Sequence, residues 1–76
     1  MYKWRIDILL KSGREISGVY EGKENNSLDV GQELLANDPS VTIFVLGSLD
    51  GTAQLFINRS EVATMAISIF HENIDN

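Results

Sequence analysis

The chain opens with a segment, residues 2–10, whose sequence YKWRIDILL decides the fold. Apolar or aromatic side chains occupy every even position of this segment, and charged residues occupy positions 3, 5 and 7. A period of two is typical of a β-strand that has one face in the protein and the other in water. The segment therefore predicts a strand that gives one face to the core.

A second extended segment, residues 15–21, follows Gly13 and predicts a hairpin with the first strand. We expect a three-residue loop, residues 12–14, because that register separates charged pairs from apolar pairs. The resulting pairs are Lys11 with Glu15, Arg5 with Glu21, Leu10 with Ile16, and Ile6 with Tyr20. Gly18 then lies opposite Ile8, which predicts a bulge, a sharp bend or the close approach of another element.

Turn-forming residues at positions 22–26 precede a predicted short helix that ends near Ala36. Asn26 or Ser27 can supply its N-cap. The sequence at positions 37–39, Asn-Asp-Pro, stops the helix because proline pushes the preceding residue out of helical geometry. The expected apolar face of the helix comprises Leu28, Gly31, Leu34 and Leu35.

Three more strands are predicted after the helix. Residues 41–46 are continuously apolar or β-branched, which is typical of a strand covered on both faces. The dipeptide Asp50-Gly51 indicates a type I′ hairpin turn. A two-residue loop there pairs Leu46 with Leu55, Phe44 with Ile57, and Val45 with Phe56. The uncharged, alternating segment at residues 62–70 predicts a fifth strand, and residues 71–76 a solvated tail.

The predicted order is β-β-α-β-β-β, and residues 1–70 form a single α+β domain. Five short strands and one short helix fit two architectures. One is a five-stranded antiparallel sheet with the helix on one face. The other is a small, strongly bent barrel of SH3-like or Sm-like type.

Composition excludes several functional classes. The 76 residues include no cysteine and one histidine, His71, so neither a disulfide framework nor a Cys/His metal site is expected. We expect no cofactor and no enzymatic activity. The longest apolar run, residues 43–46, is far shorter than the ~20 residues of a membrane-spanning helix, and the first residues do not resemble a secretory signal. These features predict a cytoplasmic protein with no membrane partner.

Basic residues concentrate in the first hairpin, although the chain as a whole carries a net charge of −5. The candidate nucleic-acid contacts are Lys3, Arg5, Lys11 and Arg14. In the expected register, Glu15 and Glu21 neutralise two of them as cross-strand pairs. Pairing within the hairpin is therefore favoured over phosphate contact, and nucleic acid is not the expected partner.

Apolar content is greater than one short helix can cover. Both faces of the predicted hairpin at residues 41–57 are apolar, and the uncharged last strand is a candidate sheet edge, which invites pairing between chains. We expect a homo-oligomer and a further, unidentified protein partner. The candidate oligomer or partner surface comprises Val41, Ile43, Val45, Phe56, Met65 and Ile67.

Three features give the chain a resemblance in layout to known proteins: the opening YKWRI at residues 2–6, the helix between two hairpins, and the INRSEV passage at residues 57–62. The chain resembles the small, uncharacterised acidic proteins of Gram-positive bacteria and their prophages. The INRSEV passage is also similar to the end of SH3-like and Sm-like barrels. Sm-like proteins, however, begin with a helix, whereas the helix predicted here follows the second strand. The resemblance has no diagnostic motif and transfers no functional residue.

Three functional hypotheses follow. The leading one is a non-enzymatic protein-interaction or adaptor module that forms a homo-oligomer. The first alternative is a small nucleic-acid-binding barrel that uses the basic first hairpin. The second is an acidic inhibitor, of phage or prophage origin, that mimics nucleic acid. Its candidate surface comprises Glu21, Glu24, Asp29, Glu33 and Asp38.

Overall fold

The computed structural model describes residues 1–35, 40 and 42–70. Its elements are β1 (Tyr2–Leu10), β2 (Glu15–Gly22), α1 (Ser27–Leu34), β3 (Ile43–Gly47), β4 (Gln54–Asn58), a 3-10 turn (Arg59–Glu61) and β5 (Val62–Ile69). The predicted α+β class and element order are confirmed. The helix ends at Leu34, two residues before its expected end near Ala36. The predicted stop at positions 37–39 and the predicted tail at positions 71–76 lie outside the described residues.

The strands form one antiparallel sheet in the order β4-β3-β2-β1-β5. In the part of the chain that the structure describes, the edge strands β4 and β5 do not pair with each other. The sheet is therefore open, and the alternative of a closed, bent barrel is wrong. Between β2 and β3 the register contains one pair, Val19 with Gly47, so the backbone ladder is short where the β3–β4 hairpin joins the other strands.

β1 supplies the centre of the core, as its alternation predicts. The side chains of Trp4, Ile6 and Ile8 are buried, and α1 adds Val30 and Leu34. Burial of an aliphatic or aromatic side chain of this size contributes about 1.5–3 kcal/mol relative to leaving it exposed. The remaining buried apolar residues are Phe44, Leu46 and Ile57.

The loop of the first hairpin has the expected length but lies one residue earlier than expected. The backbone N–H of Leu10 donates to the oxygen of Arg14 at 2.9 Å, and the N–H of Gly13 donates to the oxygen of Leu10 at 2.9 Å. The loop is therefore residues 11–13. Gly13 has a φ of 92°, and this left-handed conformation commonly ends a three-residue hairpin loop. Glycine adopts it without the steric cost of a Cβ.

This placement changes the pairing between β1 and β2. Arg5 lies opposite Val19, and Lys11 lies in the loop. The expected pairs Lys11–Glu15, Arg5–Glu21, Leu10–Ile16 and Ile6–Tyr20 are therefore wrong. Because the register differs by two residues, every side chain nevertheless keeps its expected face.

Gly18 marks a close approach between β2 and β3. It lies opposite Ile6 rather than Ile8. A Cβ at Gly18 would lie 2.9 Å from the backbone oxygen of Gly47 and 3.0 Å from the Cβ of Leu46. Of the three explanations expected for this glycine, the approach of another element is confirmed.

The helix begins as predicted but buries a different face. The side chain of Asn26 accepts from the N–H of Asp29 at 2.9 Å and so forms the N-cap. The buried residues are Val30 and Leu34, which are four positions apart and share one face. Leu28 is exposed, and so is Leu35, the C-cap residue, so the expected face was wrong at both positions.

Two contacts position the helix. A Cβ at Gly31 would lie 3.3 Å from Cδ1 of Ile67, so the small residue lets α1 pack closely on β5. At the other end, Nε of Arg59 donates to the backbone oxygen of Leu34 at 2.9 Å. This bond satisfies one of the carbonyl groups that a helix leaves without an internal partner.

The expected register of the second hairpin is confirmed, but the expected two-residue loop and its turn type are wrong. Val45 lies opposite Phe56, with the neighbouring pairs also as expected. The N–H of Ser48 donates to the oxygen of Ala53 at 2.9 Å, which makes residues 49–52 the loop. Within it only Gly51 has a positive φ, of 78°. A type I′ turn needs a positive φ at both central residues.

Candidate interaction surface

One face of the sheet lies opposite the face on which α1 packs, and we call it the open face. Strand alternation and the burial pattern assign side chains from all five strands to it. They are Lys3, Arg5, Asp7, Leu9, Glu15, Ser17, Val19, Glu21, Ile43, Val45, Gln54, Phe56, Asn58, Thr64, Ala66 and Ser68.

Apolar side chains are exposed where the β3–β4 hairpin contributes to the open face. Ile43 is 51% exposed, Val45 44% and Phe56 69%. We call these three residues the hairpin patch. The expectation that β3 is covered on both faces is wrong, because α1 packs against β5 on the opposite face and leaves this side of the hairpin in water.

The structure does not bring the six expected surface residues together. Ile43, Val45 and Phe56 share the open face. Met65 and Ile67 are half-buried on the other face, where they pack against the core. Val41 lies outside the described residues.

A groove of about 740 Å³ lies beside the hairpin patch, where β2 and β3 share a single pair. Its lining combines apolar side chains with polar ones. The lining includes Lys3, Val19, Glu21, Val45, Leu49 and Phe70. Sequence reasoning missed this groove. One residue in the sequence could have indicated the groove: Val19 is apolar, whereas the other residues on its face of β2 are charged or polar.

The basic residues of the first hairpin meet partners that differ from the expected ones. Nε of Arg5 lies 3.2 Å from both carboxylate oxygens of Asp7. The hydroxyl of Ser17 donates to the same carboxylate at 2.6 Å. The Ser17 hydrogen bond, together with Arg5, holds the pKa of Asp7 below its usual value despite the opposing effect of burial. Arg5 therefore forms an ion pair with Asp7 instead of the expected pair with Glu21.

The four basic candidates do not form one patch. Lys3 lies opposite Glu21 near the start of β1. Lys11 and Arg14 are exposed in and beside the loop at the other end of the hairpin. The strand from Lys3 to Leu10, the residue before Lys11, spans seven steps, or about 23 Å at a rise of ~3.3 Å per residue.

The carboxylates of the hypothetical acidic surface are also dispersed. Glu21 is on the open face, whereas the carboxylate of Glu24 accepts from the hydroxyl of Tyr20 at 2.9 and 3.0 Å. Asp29 interacts with the N-cap residue Asn26. Glu33 lies on α1, and Asp38 is outside the described residues.

Tyr20 and Glu24 hold the segment that joins β2 to α1. Burial, followed by the hydrogen bond and negative charge of Glu24, raises the pKa of Tyr20 to about 12. The indole N–H of Trp4 donates to the backbone oxygen of Glu24 at 3.1 Å. These contacts fix the connection to the core, so Glu24 has a structural role.

The described residues contain no group of three His, Cys, Asp or Glu side chains placed to hold a metal ion. His71 lies outside them. No described helix is both long enough and apolar enough to cross a membrane. Comparison of the chain with protein-family models, with curated proteins and with solved structures found no significant match.

Proposed function

We propose that this protein is a non-enzymatic interaction module of the cytoplasm that self-associates, and binds a further protein, through the hairpin patch. The observation that carries the proposal is the exposure of Ile43, Val45 and Phe56 side by side on the open face. An exposed apolar cluster of this kind is characteristic of a surface that meets another molecule.

The composition of the patch suits a protein partner. Phe56 is aromatic, and aromatic side chains are enriched at the centres of interfaces, where a few residues provide most of the binding energy. Polar side chains at Gln54 and Asn58 flank it on the same strand. An apolar centre with a polar rim is the usual anatomy of a protein–protein interface.

The sheet edges support self-association. Neither β4 nor β5 contains a charged residue or a proline. Proteins commonly protect exposed edges with such residues because the backbone groups of an edge strand can pair with another chain. In a chain with a net charge of −5, an uncharged edge and patch also let two copies meet without placing like charges together.

The proposal is tested by comparing Phe56→Ser with Leu28→Ser. Both residues are apolar and 69% exposed, but Leu28 lies on α1, away from the hairpin patch. Light scattering over a concentration series gives the dissociation constant of the dimer. We expect Phe56→Ser to weaken the dimer by about tenfold or more, as for a typical interface anchor, and Leu28→Ser to leave it unchanged. Equal effects of the two substitutions would contradict the proposal.

A further inference from the structure

The outer edge of β4 presents a defined set of backbone groups. Ser48 is hydrogen-bonded to Ala53, and the N–H of Arg59 donates to the oxygen of Thr42 at 2.8 Å. Hydrogen-bonded and non-hydrogen-bonded pairs alternate along an antiparallel ladder. The backbone groups of residues 55 and 57 are therefore directed towards β3. Those at residues 54 and 56, and the N–H of residue 58, are directed away from the sheet.

The sequence of β4, QLFIN, is chemically symmetric about Phe56. Leu55 and Ile57 are apolar residues on the helix-covered side, while Gln54 and Asn58 are amides on the open face. An antiparallel copy of this strand, centred on Phe56, therefore places apolar opposite apolar and amide opposite amide. Cross-strand pairs of matched chemistry stabilise a sheet, and no charges are opposed.

The backbone groups match in the same register. Phe56 exchanges both of its outward hydrogen bonds with Phe56 of the second copy. The outward N–H of Asn58 donates to the carbonyl of Gln54 in the second copy. The side-chain oxygen of Asn58 already accepts from the N–H and hydroxyl of Ser60, which leaves its amide N–H groups to donate to the side-chain oxygen of Gln54 in the second copy.

The other edge, β5, is less suited to a second copy. Its helix-side residue Ile67 packs beside Gly31 of α1, so pairing of two β5 strands would bring the two helices towards each other. α1 carries Asp29 and Glu33 and has no basic residue in its last turn. Such a dimer would therefore bring two acidic helices towards each other, whereas β4 opposes no charges.

We infer that β4 pairs with β4 of a second copy of this chain, antiparallel and with the two-fold axis at Phe56, to form a continuous ten-stranded sheet. This inference rests on the proposed self-association and specifies its geometry. The two hairpin patches then adjoin across the axis, with the Phe56 side chains side by side on the open face. A dimer made by packing two open faces together would not have this register.

Cysteine crosslinking tests the register, because the natural chain contains no cysteine. In the inferred dimer, position 54 lies opposite position 58 of the second copy, at a Cα separation of about 5.5 Å, within the range that a disulfide spans. The two copies of position 54 are four residues apart along the strands, about 13 Å, which is too far. We therefore expect a mixture of Gln54→Cys and Asn58→Cys proteins to form a mixed disulfide under mild oxidation. Neither protein should crosslink alone above the level of Gln32→Cys, an exposed helix position.

A second variant leaves Asn58 in place, because the Asn58 side chain caps the 3-10 turn that follows β4. Phe56→Cys should crosslink to itself, because position 56 opposes its own copy, when the protein concentration is raised at least about tenfold to offset the weaker association expected without the Phe56 side chain. Absence of both disulfides while the unmodified protein has the mass of a dimer would overturn the β4 pairing and leave the proposed function standing. An unmodified protein that remains monomeric at all concentrations would overturn both.

Discussion

Val45 lies directly opposite Phe56 in the β3–β4 ladder, and both side chains are exposed on the open face. Leu46 and Ile57, the next residues along the two strands, are buried on the other face of the same hairpin. The hairpin thus has apolar side chains on both faces, while α1 packs on only one of them. This imbalance is the physical basis of the proposed self-association.

Gly18→Ala should destabilise the fold. The new Cβ would lie 2.9 Å from the backbone oxygen of Gly47, and a backbone atom can move away only if β3 shifts. Overpacking of this kind typically costs about 1–3 kcal/mol. Urea denaturation followed by tryptophan fluorescence would measure the change.

Gly47→Ala is the matched control for that substitution. Its nearest contact would be the backbone oxygen of Val19 at 3.7 Å, an ordinary van der Waals distance. We expect a clearly smaller loss of stability than for Gly18→Ala. Equal losses would contradict the conclusion that Gly18 is required by the approach of β3.

Ionisation of Tyr20 should reduce stability at alkaline pH. Its pKa is raised from 10.0 to about 12 in the folded protein, so the folded state favours the neutral phenol. The resulting stabilisation is complete below pH 10 and is lost as the pH rises from about 10 to about 12. The free energy of unfolding should fall less over this range in Tyr20→Phe than in the unmodified protein.

Glu24→Gln provides a second measurement of the same contact. Removing the carboxylate charge should lower the pKa of Tyr20 towards 10, as followed by ultraviolet absorption of the tyrosinate. An unchanged Tyr20 pKa in this variant would mean that burial and the charge of Glu33 account for the shift without Glu24.

Asp50 should titrate at unusually low pH. Its carboxylate accepts from the N–H of Thr52 at 3.0 Å and from the hydroxyls of Ser48 and Thr52 at 2.7 Å each, and these bonds lower its pKa from 3.8 to about 2. The associated stabilisation is present above pH 3.8 and is lost as the pH falls to about 2. Carbon-13 NMR titration should give a midpoint near 2 and a higher one in Ser48→Ala. A midpoint near 3.8 in the unmodified protein would show that the loop does not hold the carboxylate.

The basic first hairpin should not retain nucleic acid. Arg5 forms an ion pair with Asp7, and about 23 Å of strand separates Lys3 from the loop that contains Lys11, so the four cations do not act as one patch. We expect the protein to cause no salt-sensitive shift in the electrophoretic mobility of a labelled oligonucleotide. A shift that weakens steeply with salt and disappears when Lys11 and Arg14 are both changed to glutamine would favour the nucleic-acid hypothesis instead.

Local patterns predicted much of this fold. The alternation of β1 predicted the core face correctly. A loop centred on Asp50-Gly51 predicted the correct register of the second hairpin, because the observed four-residue loop, residues 49–52, has the same centre. Charge pairing predicts the first loop one residue too late, because Gly13, with its positive φ, ends the loop instead of lying at its centre.

The candidate surface depended on tertiary arrangement, which local patterns do not contain. The sequence indicated more apolar area than the helix could cover, but not which side would remain exposed. That was decided by the packing of α1 on β5, which half-buries Met65 and Ile67 and leaves Ile43, Val45 and Phe56 in water.

Sedimentation equilibrium of the unmodified protein tests the central claim most directly. The chain has a mass of 8.5 kDa. Self-association through the hairpin predicts that the apparent mass rises with concentration towards twice that value. A mass that stays at 8.5 kDa across the concentration series would contradict the account.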